Sequence, residues 1–287
     1  MEAKDVRSVG VVGCGVMGSG IAEVAARSGC DVLVIEADED LLAAGLARIE
    51  ASLAAAVARA KLDQEEAGAV RSRIGGSTDI AILADTDLVI EAATEDEPAK
   101  RAVFSRLDDV VRPDVVLASN TSSVPIGHLA AATGRPARVI GMHFFNPPTR
   151  MELIELIPSE TTSADTVTLA RGVAERLGKT VVTSKDRAGF IVNRLLVPYL
   201  MDAIRVLEEE TATREDIDTA VRLGLGHPMG PLALADLIGL DVVLAIGEIL
   251  GRELGERGVE APELLRRMVT EGRLGRKSGR GFCDYPD

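Results

Sequence analysis

The sequence predicts an α/β protein in two parts. A strand–helix alternating domain spans residues 1–185, and an all-helical domain follows over residues 186–287. Three observations predict it. Short β-branched and apolar runs alternate with helical patterns through the first half. A glycine-rich turn joins the first run to the first helix. After Lys185-Asp186-Arg187-Ala188-Gly189 the alternation stops and long apolar helical stretches take over. Strands covered on both faces of a parallel sheet read as such continuous apolar runs, with the crossover helices supplying the cover.

The elements follow in order. Ser8–Val12 is a β-branched run that ends at Gly13. Val16–Ser28 carries a helical pattern closed by Gly29, and Asp31–Glu36 is the second strand. Asp38 is placed to cap a helix over Leu41–Ala60, rich in Ala and Leu. Further strands are expected at Leu88–Glu91, Val115–Ser119 and Val139–Met142. In the second domain a helix is expected from Phe190 to Glu208, and Thr213-Arg214-Glu215-Asp216 resembles a capping box. Gly230-Pro231 opens a third helix that runs apolar over Leu232–Leu250, interrupted by Gly239 and Gly247. A helix apolar around much of its circumference must be buried on more than one face, so a homodimer through this domain is expected.

Composition removes several classes of function. The net charge of −13 argues against nonspecific binding to nucleic acid or anionic membranes. Aromatic residues are 2% of the chain and Trp is absent, which leaves no base-stacking platform. No uninterrupted apolar run has the length of a membrane span, and the first residues lack a signal-peptide pattern. Cys14, Cys30 and Cys283 form neither a disulfide framework nor a metal spacing, which fits a reducing cytoplasm and no bound metal.

The turn after the first strand reads Gly13-Cys14-Gly15-Val16-Met17-Gly18, a G-x-G-x-x-G spacing. Gly13 permits the tight turn, Gly15 lets backbone approach a pyrophosphate, and Gly18 allows the helix to pack closely on the strand. The helix N-terminus then faces the negative charge. Glu36 ends the second strand, where its carboxylate can accept from the adenosine ribose and would repel a 2′-phosphate. The reading is a Rossmann-type domain that binds NAD rather than NADP. The bland alternative is a structural glycine turn with a solvated Glu36. Cys14 has no histidine beside it in sequence and is not read as a nucleophile.

Proton exchange near neutral pH falls most readily to histidine, and the chain has His128, His143 and His227. His143 sits in Gly141-Met142-His143-Phe144-Phe145-Asn146-Pro147. Glu155, twelve positions on, lies in the apolar run Leu153–Ile157, where a carboxylate needs a partner such as a histidine. For His128 and His227 a structural role is the better reading. Ser119-Asn120-Thr121-Ser122-Ser123 follows an expected strand, where open α/β sheets bind ligands. Ser122 there could also cap the segment near Val124-Pro125, and Thr121 or Ser123 could take its place.

With the junction Gly189-Phe190-Ile191-Val192-Asn193-Arg194, the segment His227-Pro228-Met229-Gly230-Pro231 and the ending Gly275–Phe282, these motifs resemble the 3-hydroxyacyl-CoA dehydrogenase family over essentially the whole chain. The resemblance implies oxidation of an L-3-hydroxyacyl thioester with reduction of NAD. It implies His143 as general base, Glu155 as the carboxylate that orients it, and Ser122 and Asn193 on the substrate. Glu95, Lys100, Ser122, Asn146 and Lys277 fall on positions that contact NAD, and Ser52 and Arg59 where a helical arm contacts CoA. Two features depart from the family pattern. Glu36 stands where Asp is usual, and the arm at 49–66 carries few basic residues, chiefly Arg59 and Lys61. An acyl-carrier-protein thioester therefore stays open beside acyl-CoA, as does a free hydroxy acid. A dinucleotide-binding protein without catalysis is the remaining alternative.

Overall fold

A computed structural model describes residues 2–254 and 260–285. Contacts divide the chain into two units, Met1–Arg187 and Ala188–Asp287. The first is built on eight strands: β1 (Ser8–Val12), β2 (Asp31–Ile35), β3 (Ile74–Ser77), β4 (Leu88–Glu91), β5 (Val116–Ser119), β6 (Val139–Phe144), β7 (Leu153–Pro158) and β8 (Thr180–Thr183). Their order in the sheet is β3-β2-β1-β4-β5-β6-β7-β8. The helices of this unit are α1 (Val16–Arg27), α2 (Glu39–Ala58), α3 (Gln64–Ser72), α4 (Glu97–Val110), α5 (Ile126–Ala130) and α6 (Ala164–Arg176).

The order reverses between β1 and β4, which makes the crevice beyond the carboxyl ends of those strands the place for a ligand. β1, β4, β5 and β6 are neighbours in that sequence, so the loops after them lie side by side. The sheet is mixed rather than wholly parallel. β7 pairs antiparallel with β6, and β8 runs parallel to β7. Residues 145–152 are too few for the crossover of about a dozen residues that a parallel neighbour needs. β3 and β8 had no clear signal in the sequence. β3 holds two glycines in Ile74-Gly75-Gly76-Ser77, and β8 is half exposed, as edge strands are.

Asp38 caps α2 as expected, accepting from the Leu41 N–H at 2.8 Å. Leu42, Gly45, Ile49, Leu53 and Ala56 form the buried face of α2. Arg48 and Glu50 interrupt the apolar run of α2, yet the helix has the length and mean hydropathy of a membrane span, at 20 residues and 1.6. Its buried face nevertheless packs into the main core, where Leu42, Ile49 and Leu53 join Val11, Val34, Ile90 and Phe144.

The second unit holds α7 (Val192–Glu208), α8 (Arg214–Gly224), α9 (Pro231–Ile238), α10 (Leu240–Leu254) and α11 (Glu263–Thr270). Thr213 caps α8, its hydroxyl accepting from the Asp216 N–H. The single helix expected over Leu232–Leu250 is two. Gly239 stops α9 with φ at +106°, a conformation L side chains rarely adopt, and α10 starts afresh. Gly247 does not interrupt α10. It lets α10 approach α7, since a Cβ there would fall 1.8 Å from Met201 Cε. The ending Gly275–Phe282 closes on Asp236. That buried carboxylate accepts from the N–H groups of Phe282 and Cys283, both at 2.9 Å, and from the Tyr285 hydroxyl at 3.0 Å.

Candidate active site

The glycine turn has the shape a dinucleotide needs. Gly13 has φ +91°, and a Cβ there would lie 2.7 Å from Ala93 Cα. A Cβ on Gly18 would lie 1.7 Å from the Gly13 carbonyl oxygen, so α1 packs against the turn only because residue 18 has no side chain. At Gly15 a Cβ would meet nothing within 4 Å, so there the backbone borders open space at the N-terminus of α1. Val16 is exposed at that end, while Met17 packs on the core. These residues fit a pyrophosphate held by backbone N–H groups and the helix dipole.

Glu36 follows β2 directly. Its Oε1 accepts the Cys14 N–H and its Oε2 accepts the Ala37 N–H at 3.2 Å. Each oxygen retains a lone pair for a ribose hydroxyl. Cys14 is buried, and burial, with Glu36 adding, pushes its thiol up to about 11. It is a thiol at neutral pH and no nucleophile.

Carboxylates organise the ends of β4 and β5. Glu91, the last residue of β4, is fully buried. Lys100 of α4, 2% exposed, donates to both of its oxygens at 2.8 Å. The Ser119 hydroxyl donates to the same carboxylate at 2.7 Å and the Ala93 N–H at 2.8 Å. Lys100 also lies 3.4 Å from Glu95. Glu95 in turn accepts from the Thr121 hydroxyl at 2.8 Å, the Ser122 N–H at 2.6 Å and the Ser122 hydroxyl at 2.7 Å. Thus Glu95 and Lys100, both expected on the cofactor, are joined here to each other and to Ser122.

Ser122 is not a helix cap. The Thr121 hydroxyl oxygen accepts the N–H groups of Ser123 and Val124. Asp186 takes those of Ile126 and Gly127 at the start of α5. This keeps Asp186 with the first unit. Asn120 links the same loop to β6, its Oδ1 accepting the Phe144 N–H at 2.9 Å.

His143 and Glu155 are direct cross-strand partners in the β6–β7 register. Partners on one face of a sheet have neighbouring side chains. Here His143 Nδ1 is 2.8 Å from Glu155 Oε2, with His143 6% exposed and Glu155 fully buried. An ionised carboxylate is only an acceptor, so with Glu155 ionised the proton of this contact sits on Nδ1. The flanking residues Met142, Phe144, Ile154 and Leu156 turn to the opposite face, into the main core. The Phe145 ring lies 4.6 Å from the imidazole, tilted by 54°.

The other expected residues are placed as follows. Asn146 is exposed just after β6. Ser52 is half-buried on α2 and Arg59 exposed at its end, seven positions apart and so on one helix face. In the second unit Asn193 is half-buried in the first turn of α7, and Lys277 pairs with Asp241 at 2.5 Å. His128 pairs on the surface with Glu97 at 3.0 Å, and His227 meets Tyr199 edge-on. No group of three metal-binding side chains occurs among the described residues.

Glu91 went unread, although the signal existed. A carboxylate closing the apolar run Leu88-Val89-Ile90 poses the same question as Glu155 among its aliphatics. The bridging role of Asn120 had no such signal, because it depends on which strand lies next to β5.

A doubly wound sheet with a glycine turn shaped for a phosphate, a carboxylate directly after β2 and a carboxylate-held histidine near the end of β6 has the layout of a nucleotide-dependent dehydrogenase of hydroxy compounds. Comparison with known proteins narrows this. Residues 8–187 match the 3-hydroxyacyl-CoA dehydrogenase NAD binding domain, and residues 189–285 match the C-terminal domain of the same family. The chain belongs to the 3-hydroxyacyl-CoA dehydrogenase family, and its cofactor is NAD. It is 50% identical over 285 residues to a 3-hydroxybutyryl-CoA dehydrogenase of Mycobacterium tuberculosis, covering 98% of this chain and 99% of that one. The crystal structure of Mycobacterium tuberculosis FadB2 superposes with a TM-score of 0.96 at 50% identity, covering 98% of this chain and 99% of the other. That of the (S)-3-hydroxybutyryl-CoA dehydrogenase of Ralstonia eutropha gives 0.94 at 43% identity, covering 99% and 100%.

The Glu91–Lys100 pair yields a stability prediction. Lys100→Met leaves a buried carboxylate without its cation and costs about 3–5 kcal/mol, whereas adding Glu91→Gln restores most of the loss. Urea denaturation of the two variants checks it. A single variant as stable as wild type contradicts the pairing.

Proposed function

We propose that this protein oxidises an L-3-hydroxyacyl-CoA of short acyl chain, such as 3-hydroxybutyryl-CoA, to the 3-ketoacyl-CoA. The observation that carries the proposal is the His143–Glu155 pair at the end of β6, two strands in sheet order from β4 and three from the glycine turn after β1. NAD, when bound, accepts the hydride from C3 of the substrate. His143 Nε2 removes the 3-hydroxyl proton as the carbonyl forms. Glu155 keeps Nδ1 protonated, fixes the ring and stabilises the imidazolium that results. In the reverse direction the imidazolium returns the proton to the oxygen.

Ser122 and Asn193 hydrogen-bond the substrate oxygen and thioester. In the arrangement described, the Ser122 hydroxyl donates to Glu95. A donor bond to substrate therefore requires that hydroxyl to turn away from Glu95. Asn146, Glu95, Lys100 and Lys277 are assigned to NAD, and Ser52 and Arg59 on one face of α2 to CoA. A carrier-protein thioester is the second reading. The exposed arm favours it, since it offers Arg59 and Lys61 against the acidic first turn Glu65-Glu66 of α3. The three free cysteines fit a reducing cytoplasm.

His143→Gln is expected to lower turnover of acetoacetyl-CoA with NADH by about 10²–10⁴-fold while NADH binding persists. Unchanged turnover removes His143 from the mechanism. The same absorbance assay with a carrier-bound acetoacetyl group and with free hydroxy acids separates the substrate readings, and a clear preference for either defeats the CoA assignment. The helical unit exposes Leu195, Leu223, Leu225 and Leu237, which supports a homodimer through it. Light scattering should give twice the 30.2 kDa chain mass, and a monomer at micromolar concentration rejects the dimer.

A further inference from the structure

Cys14, the second residue of the glycine turn, is gripped from both sides by opposite charges. Its N–H is taken by the Glu36 carboxylate. Its carbonyl oxygen is taken by Arg48 of α2, whose Nη1 donates at 3.1 Å. Close packing explains the approach. Gly45, one turn earlier on α2, abuts Cys14 so tightly that a Cβ would lie 2.5 Å from the Cys14 side chain. Arg48 is therefore carried to the turn by the helix itself, yet it is exposed and uses one N–H of its five. Both charges act on the Cys14 thiol, in opposite senses.

We propose that Arg48 is a cofactor-selecting residue: a guanidinium positioned to bind a 2′-phosphate on the adenosine ribose, and masked by Glu36. The proposal rests on the reading of Glu36 as the ribose carboxylate. An arginine near the end of the second strand is how such folds accommodate a phosphorylated ribose, and a carboxylate there is how they exclude it. This chain holds both groups on the backbone of one residue, Cys14. Its discrimination against NADP therefore depends on the charge of Glu36 alone, with Arg48 pulling the other way.

The test uses calorimetric titration of the full chain with adenosine 2′,5′-bisphosphate and with 5′-AMP. The proteins are the wild type, Glu36→Gln, Arg48→Ala and the double variant. Glu36→Gln removes the charge and keeps an acceptor for the Cys14 N–H. Glu36→Ser serves if the amide disturbs the turn. Glu36→Gln should bind the bisphosphate about 10–100-fold more tightly than wild type, the worth of one or two charge-assisted hydrogen bonds. Adding Arg48→Ala should erase that gain without a matching loss for 5′-AMP, and turnover with NADPH should follow the same order. A gain that survives in the double variant, or no gain in Glu36→Gln, overturns the role of Arg48. A wild type that binds the bisphosphate as tightly as 5′-AMP defeats the reading of Glu36 itself, and the masking with it.

Discussion

A fully buried carboxylate facing a histidine across one antiparallel strand pair constrains the first unit more than any other contact. Glu155 cannot sit among Leu153, Ile154, Leu156 and Ile157 unless a partner satisfies it, and an unpaired charge there costs several kcal/mol. The partner is His143, and the register that joins them follows from the reversal of β7. A slip of one residue would turn Glu155 toward the main core and remove the pair. The departure from a wholly parallel sheet is thus also the feature that sets His143 opposite Glu155.

The same economy recurs along the sheet. The glycine turn follows β1, Glu91 ends β4, the Ser122 loop follows β5, and His143 lies near the end of β6, in that lateral order. Glu91 anchors Lys100, Lys100 lies against Glu95, and Glu95 holds Ser122. Asn120 ties that loop to the residue after His143. Parallel strands end their carboxyl termini on one side, so residues far apart in sequence are delivered to one crevice.

Much of this was legible because it had a local cause. The strands at 8–12, 31–35 and 88–91 are apolar runs, Asp38 is a cap before a helical pattern, and the glycine spacing has a steric reason at each position. Glu155 announced itself as a charge in the wrong company. What could not be read depends on lateral neighbours. The strand at 74–77 has too few side chains to signal itself, the antiparallel turn of β7 follows from a short connection, and the break at Gly239 depends on a backbone angle. The contact of Arg48 with Cys14 arises because Gly45 lets two segments touch. The family resemblance named Glu95 and Lys100 as cofactor contacts, and the structure adds that Lys100 hydrogen-bonds Glu91 while Glu95 hydrogen-bonds the Ser122 loop.

The protonation of the His143 ring reports most directly on the pair from which the proposed chemistry starts. Long-range ¹H–¹⁵N correlation spectra resolve imidazole tautomers, and with three histidines in the chain the His143→Gln variant identifies the signal. At a pH where the ring is neutral, wild-type protein should show the proton on Nδ1 and an unprotonated Nε2, and Glu155→Gln should lose that single tautomer. A wild-type ring carrying its proton on Nε2 would contradict both the hydrogen bond to Glu155 and the use of His143 as the base.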